Sequence, residues 1–218
     1  MSITARKKQG SRKRRVPSEV RSTALAEARR LLIERGPNAV TLKAVADELG
    51  MTHSNLLHHF GSAAELQSAL MSAMVRDLNH ALVDAVTRKD GGLPEPRGLV
   101  DRVFDAFDKG GAGRLAAWIT LSNNDEHIAP IRDAILDLVS GIERAGPPDL
   151  AKVDERVKSV VLFVSLLAFG DALIGQRLSQ ILGLKRKAAR ELTAALLAHL
   201  FAAGPKAPGP LDPPRARR

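Results

Sequence analysis

From Ser18 to Ala203 apolar residues recur every three to four positions, with almost no stretch of strict alternation, and this rhythm predicts an all-α fold. The first helix is expected to open at Pro17-Ser18 with Ser18 as its cap. It places Val20, Ala24, Ala28, Leu31 and Leu32 on one face and stops at Gly36-Pro37. Thr41 is placed to cap a second helix with the stripe Leu42, Val45, Ala46 and Leu49, ended by Gly50. Thr52 caps a third, with Leu56 and Phe60 inward, and Ser62 to Glu65 has the form of a capping box that starts a long fourth helix. Further helices are predicted at about 98–109, 112–123, from Pro130 to the Gly146-Pro147-Pro148 stop, 149–181 and 186–202. The loop "KDGGLPEPRG" follows the fourth helix, and the tail from 204 is too rich in proline to fold alone.

The turn Gly50-Met51-Thr52 is short enough to make the second and third helices cross steeply, as in a helix-turn-helix. The outward side chains of the third helix, Thr52, His53, Ser54, Asn55 and His58, are short or polar groups that donate and accept hydrogen bonds. Such groups suit base edges and phosphates: asparagine pairs bidentately with adenine, and serine or threonine serves several bases. Periodicity alone fits an ordinary helical hairpin with a polar face equally well.

Charge separates these readings further. Residues 1–75 carry 12 Lys/Arg against 6 Asp/Glu, residues 76–203 carry 17 of each, and the tail carries 4 against 1, so the formal +9 lies at the ends. Seven basic residues, Arg6, Lys7, Lys8, Arg12, Lys13, Arg14 and Arg15, precede the first helical pattern. They form either a flexible arm for a polyanion or a solvated tail that aids solubility. Cysteine is absent, which excludes disulfides, thiolate nucleophiles and cysteine-ligated metals and fits a reducing compartment. His53, His58 and His59 lack the i, i+4 spacing of a zinc helix, so no metal and no cofactor is expected. The apolar run at 160–169 is about half of the ~20 residues a membrane span needs, and no secretory signal follows the basic N-terminus. A cytoplasmic protein without membrane contact is expected.

The block from Ser18 to Leu70 resembles the DNA-binding domain of the TetR family of bacterial transcriptional regulators. Thr41, Val45-Ala46, Leu49-Gly50, His59-Phe60, Ser62 and Leu66 carry that resemblance. It departs at Leu57, where the family usually has a phosphate-binding tyrosine, and at Ala63, where it usually has a lysine. The basic arm is the expected source of the missing charge. The resemblance implies phosphate contacts from Thr41 and His59 and base-edge contacts from His53, Ser54, Asn55 and His58. Four segments are therefore expected: a disordered basic arm over 1–17 and a disordered tail over 204–218, from their composition, and, as the resemblance implies, a DNA-binding domain over 18–70 and an effector-binding and dimerisation domain over 71–203.

The residues of the second half are compatible with those roles. Val153, Val157, Val160, Val164 and Leu167 form one stripe of the long helix, and Val161, Leu166, Phe169 and Leu173 another. A helix apolar on two faces needs cover on two sides. Either both faces are internal, or one meets a second copy; the first stripe, with Leu192, Leu196, Leu197 and Leu200 of the last helix, is the expected homodimer interface. Phe104, Phe107, Trp118 and Phe163 suit the wall of an effector pocket for an unknown small molecule, with Ser122, Asn123, His127, Ser165 and Asp171 as polar candidates; Asp171 fits a purely structural carboxylate equally well.

The expected function is therefore a ligand-released dimeric repressor on palindromic double-stranded DNA, with a sequence-independent DNA-packaging protein as the alternative. No G-x-S-x-G, P-loop, HExxH or dinucleotide-binding glycine pattern is present, so an enzyme is not expected.

Overall fold

The computed structural model describes residues 17–87, 95–122, 129–145 and 154–202, and among them every regular element is helical. In chain order these are α1 (Pro17–Arg35), a 3-10 turn (Pro37–Ala39), α2 (Leu42–Leu49), α3 (His53–Phe60), α4 (Ala63–Thr87), α5 (Pro96–Phe107), α6 (Ala112–Leu121), α7 (Ala129–Ala145), α8 (Asp154–Gly170), α9 (Gln176–Ile181) and α10 (Ala188–Ala202). A single π-helical turn, Asp171–Gly175, joins α8 to α9 in one rod. The arm with Arg12, Lys13, Arg14 and Arg15, the tail from 204, and Asn123, His127 and Val153 lie outside the described residues. Ser18 belongs to the first turn of α1 rather than capping it, because proline is tolerated at a helix start and the helix already begins at Pro17.

Two cores form. The first collects Ala24, Ala28, Leu31 and Leu32 of α1, Val45 and Ala46 of α2, Leu56 and Phe60 of α3 and Leu66 and Leu70 of α4. Ala112, Leu115 and Ile119 of α6 complete it, so α6 joins the DNA-binding unit's core, packing on α4 and the 3-10 turn. Gly111 permits that approach: a Cβ there would lie 3.2 Å from the Leu32 side chain, and its φ of +80° is one that other residues rarely adopt. The second core joins Leu82 of α4, Val100, Val103 and Phe104 of α5, Leu138 of α7, Val164 and Ala168 of α8, and Ala194 and Leu197 of α10. Helix α4 contributes to both and touches α1, α3, α5, α6 and α7.

The stripe expected to meet a second copy is turned inward. Val157 and Val164 are buried, Val160 is half-buried, and the cluster containing Val164 is filled by α5 and α10. Of the other stripe, Leu166 and Leu173 are exposed while Val161 and Phe169 are half-buried; Leu162, Ile174 and Leu178, outside that stripe, extend the outward apolar surface. Of the residues assigned to the interface, Leu167, Leu192 and Leu196 remain exposed, while the side chain of Leu200 is outside the described set. The apolar stretch is also longer than the run at 160–169: Val157–Ile181 spans 25 residues and contains an 18-residue window of mean hydropathy 2.0, enough by length and composition to cross a membrane. It packs on α5 and α10 through Val164 and Ala168 and carries the ion-paired Asp171 in its middle, while 22% of that window is buried and the rest of its apolar surface faces outward.

Candidate nucleic-acid interface

The turn between α2 and α3 is fixed by backbone chemistry. Gly50 adopts a left-handed conformation (φ 61°, ψ 34°), which lets its N–H donate to Asp47 and the Met51 N–H donate to Ala46 at 2.9 Å. This 6→1 and 5→2 pair closes α2 without a long loop. Both capping threonines do as the sequence predicts: the Ala44 N–H donates to Thr41 Oγ1 at 3.1 Å, and the Asn55 N–H to Thr52 Oγ1 at 3.3 Å. Each hydroxyl is thus an acceptor toward its own helix and keeps its O–H as a donor for an external acceptor such as a phosphate oxygen.

Helix α3 is held from behind. Leu56 is fully buried and Phe60 nearly so, and the Arg21 guanidinium lies 4.5 Å from the Phe60 ring centroid while donating to the His59 carbonyl. Buried Gln67 of α4 donates to the Val40 carbonyl at 3.0 Å, tying α4 to the segment just before α2. Arg30 and Arg35 of α1 both reach Glu48 of α2, at 2.8 and 3.1 Å. With its inner side locked, α3 presents Thr52, His53, Ser54, Asn55 and His58 together on an exposed surface. His59 is half-buried, its ring edge-on to His58 at 5.9 Å, and Thr41 is half-buried at the start of α2.

Leu57 is 41% exposed on the same short helix, an apolar group with nothing to offer a phosphate. Lys43, in the first turn of α2, is exposed and has no carboxylate partner among the described residues. Periodicity does not single it out; its place two residues after the Thr41 cap marks it as a phosphate-contact candidate.

The effector candidates are not brought together. Phe104 is wholly buried in the second core beneath Arg190, whose guanidinium lies 5.4 Å from its ring centroid, so it is packing rather than an open wall. Phe163 sits on the outward side of α8, exposed by 36%. Asp171 is buried but saturated by Arg186, which removes it as a polar contact for a ligand. Phe107, Trp118 and Ser122, all half-buried on α5 and α6, remain.

The sequence profile of the bacterial regulatory proteins of the tetR family matches residues 24–70, the segment that builds this turn and its support. Residues 24–70 thus carry the DNA-binding domain of the TetR family. The chain's whole fold is shared as well. A transcriptional regulator from Saccharomonospora viridis, solved in complex with choline, superposes with a TM-score of 0.57 at 18% identity, covering 84% of this chain and 97% of that one. A regulator from Rhodococcus sp. RHA1 gives 0.59 at 16% identity, over 84% and 95%. The repressor AlkX from Dietzia, implicated in n-alkane biodegradation, gives 0.52 at 18% identity, over 84% and 95%. No curated protein sequence matches the chain. The TetR fold is that of a DNA-binding regulator, with the helix-turn-helix at its N-terminus and a helical domain behind it.

Proposed function

We propose that this TetR-family protein is a cytoplasmic, sequence-specific repressor that binds a palindromic operator as a homodimer and is released by a small-molecule effector. The observation that carries the reading is α3 itself: Leu56 and Phe60 anchor it while five exposed polar side chains, Thr52 to Asn55 and His58, occupy its free side. In this reading His53, Ser54, Asn55 and His58 face base edges, and Thr41, Thr52, His59 and Lys43 hold the phosphates, with Arg12 to Arg15 of the arm adding charge.

The outward stripe of α8 and α9, with Leu192 and Leu196 of α10, supports a second copy as the partner. Large contiguous apolar surface of this kind marks protein association. A dimer sets two recognition helices about one DNA turn apart, ~34 Å, so a palindrome is the fitting target.

Release follows from the position of α6. Its inner face belongs to the first core while Phe107 of α5 packs against the second, so a ligand lodged between α5 and α6, beside Phe107, Trp118 and Ser122, displaces a helix that packs on α4. For a large shift the ligand must favour the released state by several kcal/mol, up to ~5.5 for a complete switch. Footprinting on DNA flanking the gene, with candidate ligands added, tests the reading: a protected palindrome that ligand uncovers supports it. Equal protection of all sequences points instead to a packaging protein.

A further inference from the structure

A cleft of about 590 Å³ lies between α1, the end of α3 and the first half of α4, and none of its lining residues belongs to α5, α6 or α7. Its size is within the ordinary range for a small-molecule site, ~300–1,000 Å³. Leu25, Phe60 and Ala69 give it an apolar floor, and Arg21, Glu65 and Arg76 give it charged ends.

These charges are unevenly committed. Arg21 is engaged with the His59 carbonyl and the Phe60 ring. The Glu65 carboxylate folds back over Gly61, where its Oε2 lies 2.0 Å from the position a Cβ would take, so it sits at the α3 end. Arg76 is exposed eleven residues further along α4, roughly 16 Å at 1.5 Å per residue. The neighbouring Asp77 is taken by Arg29 at 2.8 Å, and Arg76 has no carboxylate partner among the described residues. Ser68 and Ser72 line the cleft between these ends, and the Ser72 hydroxyl donates to the Ser68 carbonyl at 2.9 Å, so its proton is already spent within the helix. The strongest uncommitted donor in the cleft is therefore cationic and planar, next to an apolar floor.

We propose that this cleft is a second ligand site, for a small amphipathic anion whose carboxylate or phosphate pairs with Arg76 while its aliphatic part lies along Leu25 and Ala69. A guanidinium matches both oxyanions through parallel hydrogen bonds, which a hydroxyl or ammonium head cannot accept. The occupant touches α1, α3 and α4 at once, the three helices that set the recognition helix relative to the rest of the protein. The site does not depend on the operator reading and is tested without DNA.

Isothermal titration of the full chain with hexanoate and with hexyl phosphate tests it, with hexanol and hexylammonium as head-group controls. At least one anion binds, and which one distinguishes a carboxylate from a phosphate source. Arg76→Gln weakens that binding roughly tenfold, the loss of charge-assisted hydrogen bonding, while Arg76→Lys, which keeps the charge but not the paired geometry, recovers only part of it. Arg76 is exposed and unpaired, so an unchanged circular dichroism spectrum and Tm keep the comparison fair. Absence of binding by both anions, equal binding of hexylammonium, or unchanged affinity in Arg76→Gln overturns the proposal.

Discussion

Arg186 straddles Asp171: its Nη1 lies 2.9 and 2.8 Å from the two carboxylate oxygens, and its Nη2 reaches Asp108, the C-cap of α5, at 3.0 Å. Asp171 is the first residue of the π turn, and Gly175 makes room for it, since a Cβ at Gly175 would fall 2.1 Å from the Asp171 Oδ1. Arg190, itself buried, extends the network to Asp105. One polar cluster thus fixes α5, the π turn and α10 together. Arg186→Ala leaves a carboxylate that is only 1% exposed without its partner. Such a loss costs ~3–5 kcal/mol when both ions are buried. Because Arg186 is 35% exposed and solvent screens it, about 2 kcal/mol is expected, read by urea unfolding.

The same cluster confers a pH dependence. Burial pushes the Asp105 carboxyl up, but hydrogen bonds from Arg190 and Lys109 outweigh it and hold the group below its ordinary value of 3.8. The folded state then binds its proton less readily than the unfolded chain, so the contribution is complete above the unfolded value and fades as pH falls through the folded one. The Tm advantage of the native chain over Asp105→Asn is expected to be constant from about pH 7 down to about pH 5 and to shrink below about pH 4. An advantage that grew with acid would reverse the sign of this argument.

Leu166→Glu addresses the dimer. Leu166 is 61% exposed, so a carboxylate there is solvated in the protomer and buried only where two copies meet. Sedimentation equilibrium is expected to show dimers for the native chain and monomers of native helicity for the variant.

Removal of residues 1–15 takes away seven basic groups. Operator affinity is expected to fall several-fold at low salt, and the plot of log affinity against log salt to flatten, since each lost phosphate contact lowers the slope by about 0.9. Identical slopes would show that the arm stays off the DNA.

The helix-turn-helix was legible because its determinants are local. Thr41, Gly50 and Thr52 act on backbone groups three or four residues away, and Leu56 and Phe60 follow from one helical period. What depends on distant partners was not. Nothing near Asp171 announces Arg186, and nothing near Asp105 announces Arg190, 85 residues away. The two stripes of α8 were visible as two, but which faces inward depends on where α5 and α10 dock, and hydrophobicity does not encode that choice. Phe104 and Phe163 were grouped as one pocket wall by residue type, whereas one lies in the core and the other on the outer side. The sharing of α6 with the DNA-binding core likewise rests on a close approach at Gly111 that composition does not announce.

The central claim is that α3 reads base edges, and fluorescence anisotropy of Asn55→Ala on the footprinted palindrome and on a scrambled duplex, at one fixed salt concentration, tests it most directly. Asn55 is exposed and only its backbone N–H serves the cap, so the fold is expected to survive the change. The account predicts a loss of about 1–3 kcal/mol, tenfold or more at the middle of that range, on the palindrome alone. An equal effect on both duplexes, or none on either, would contradict it.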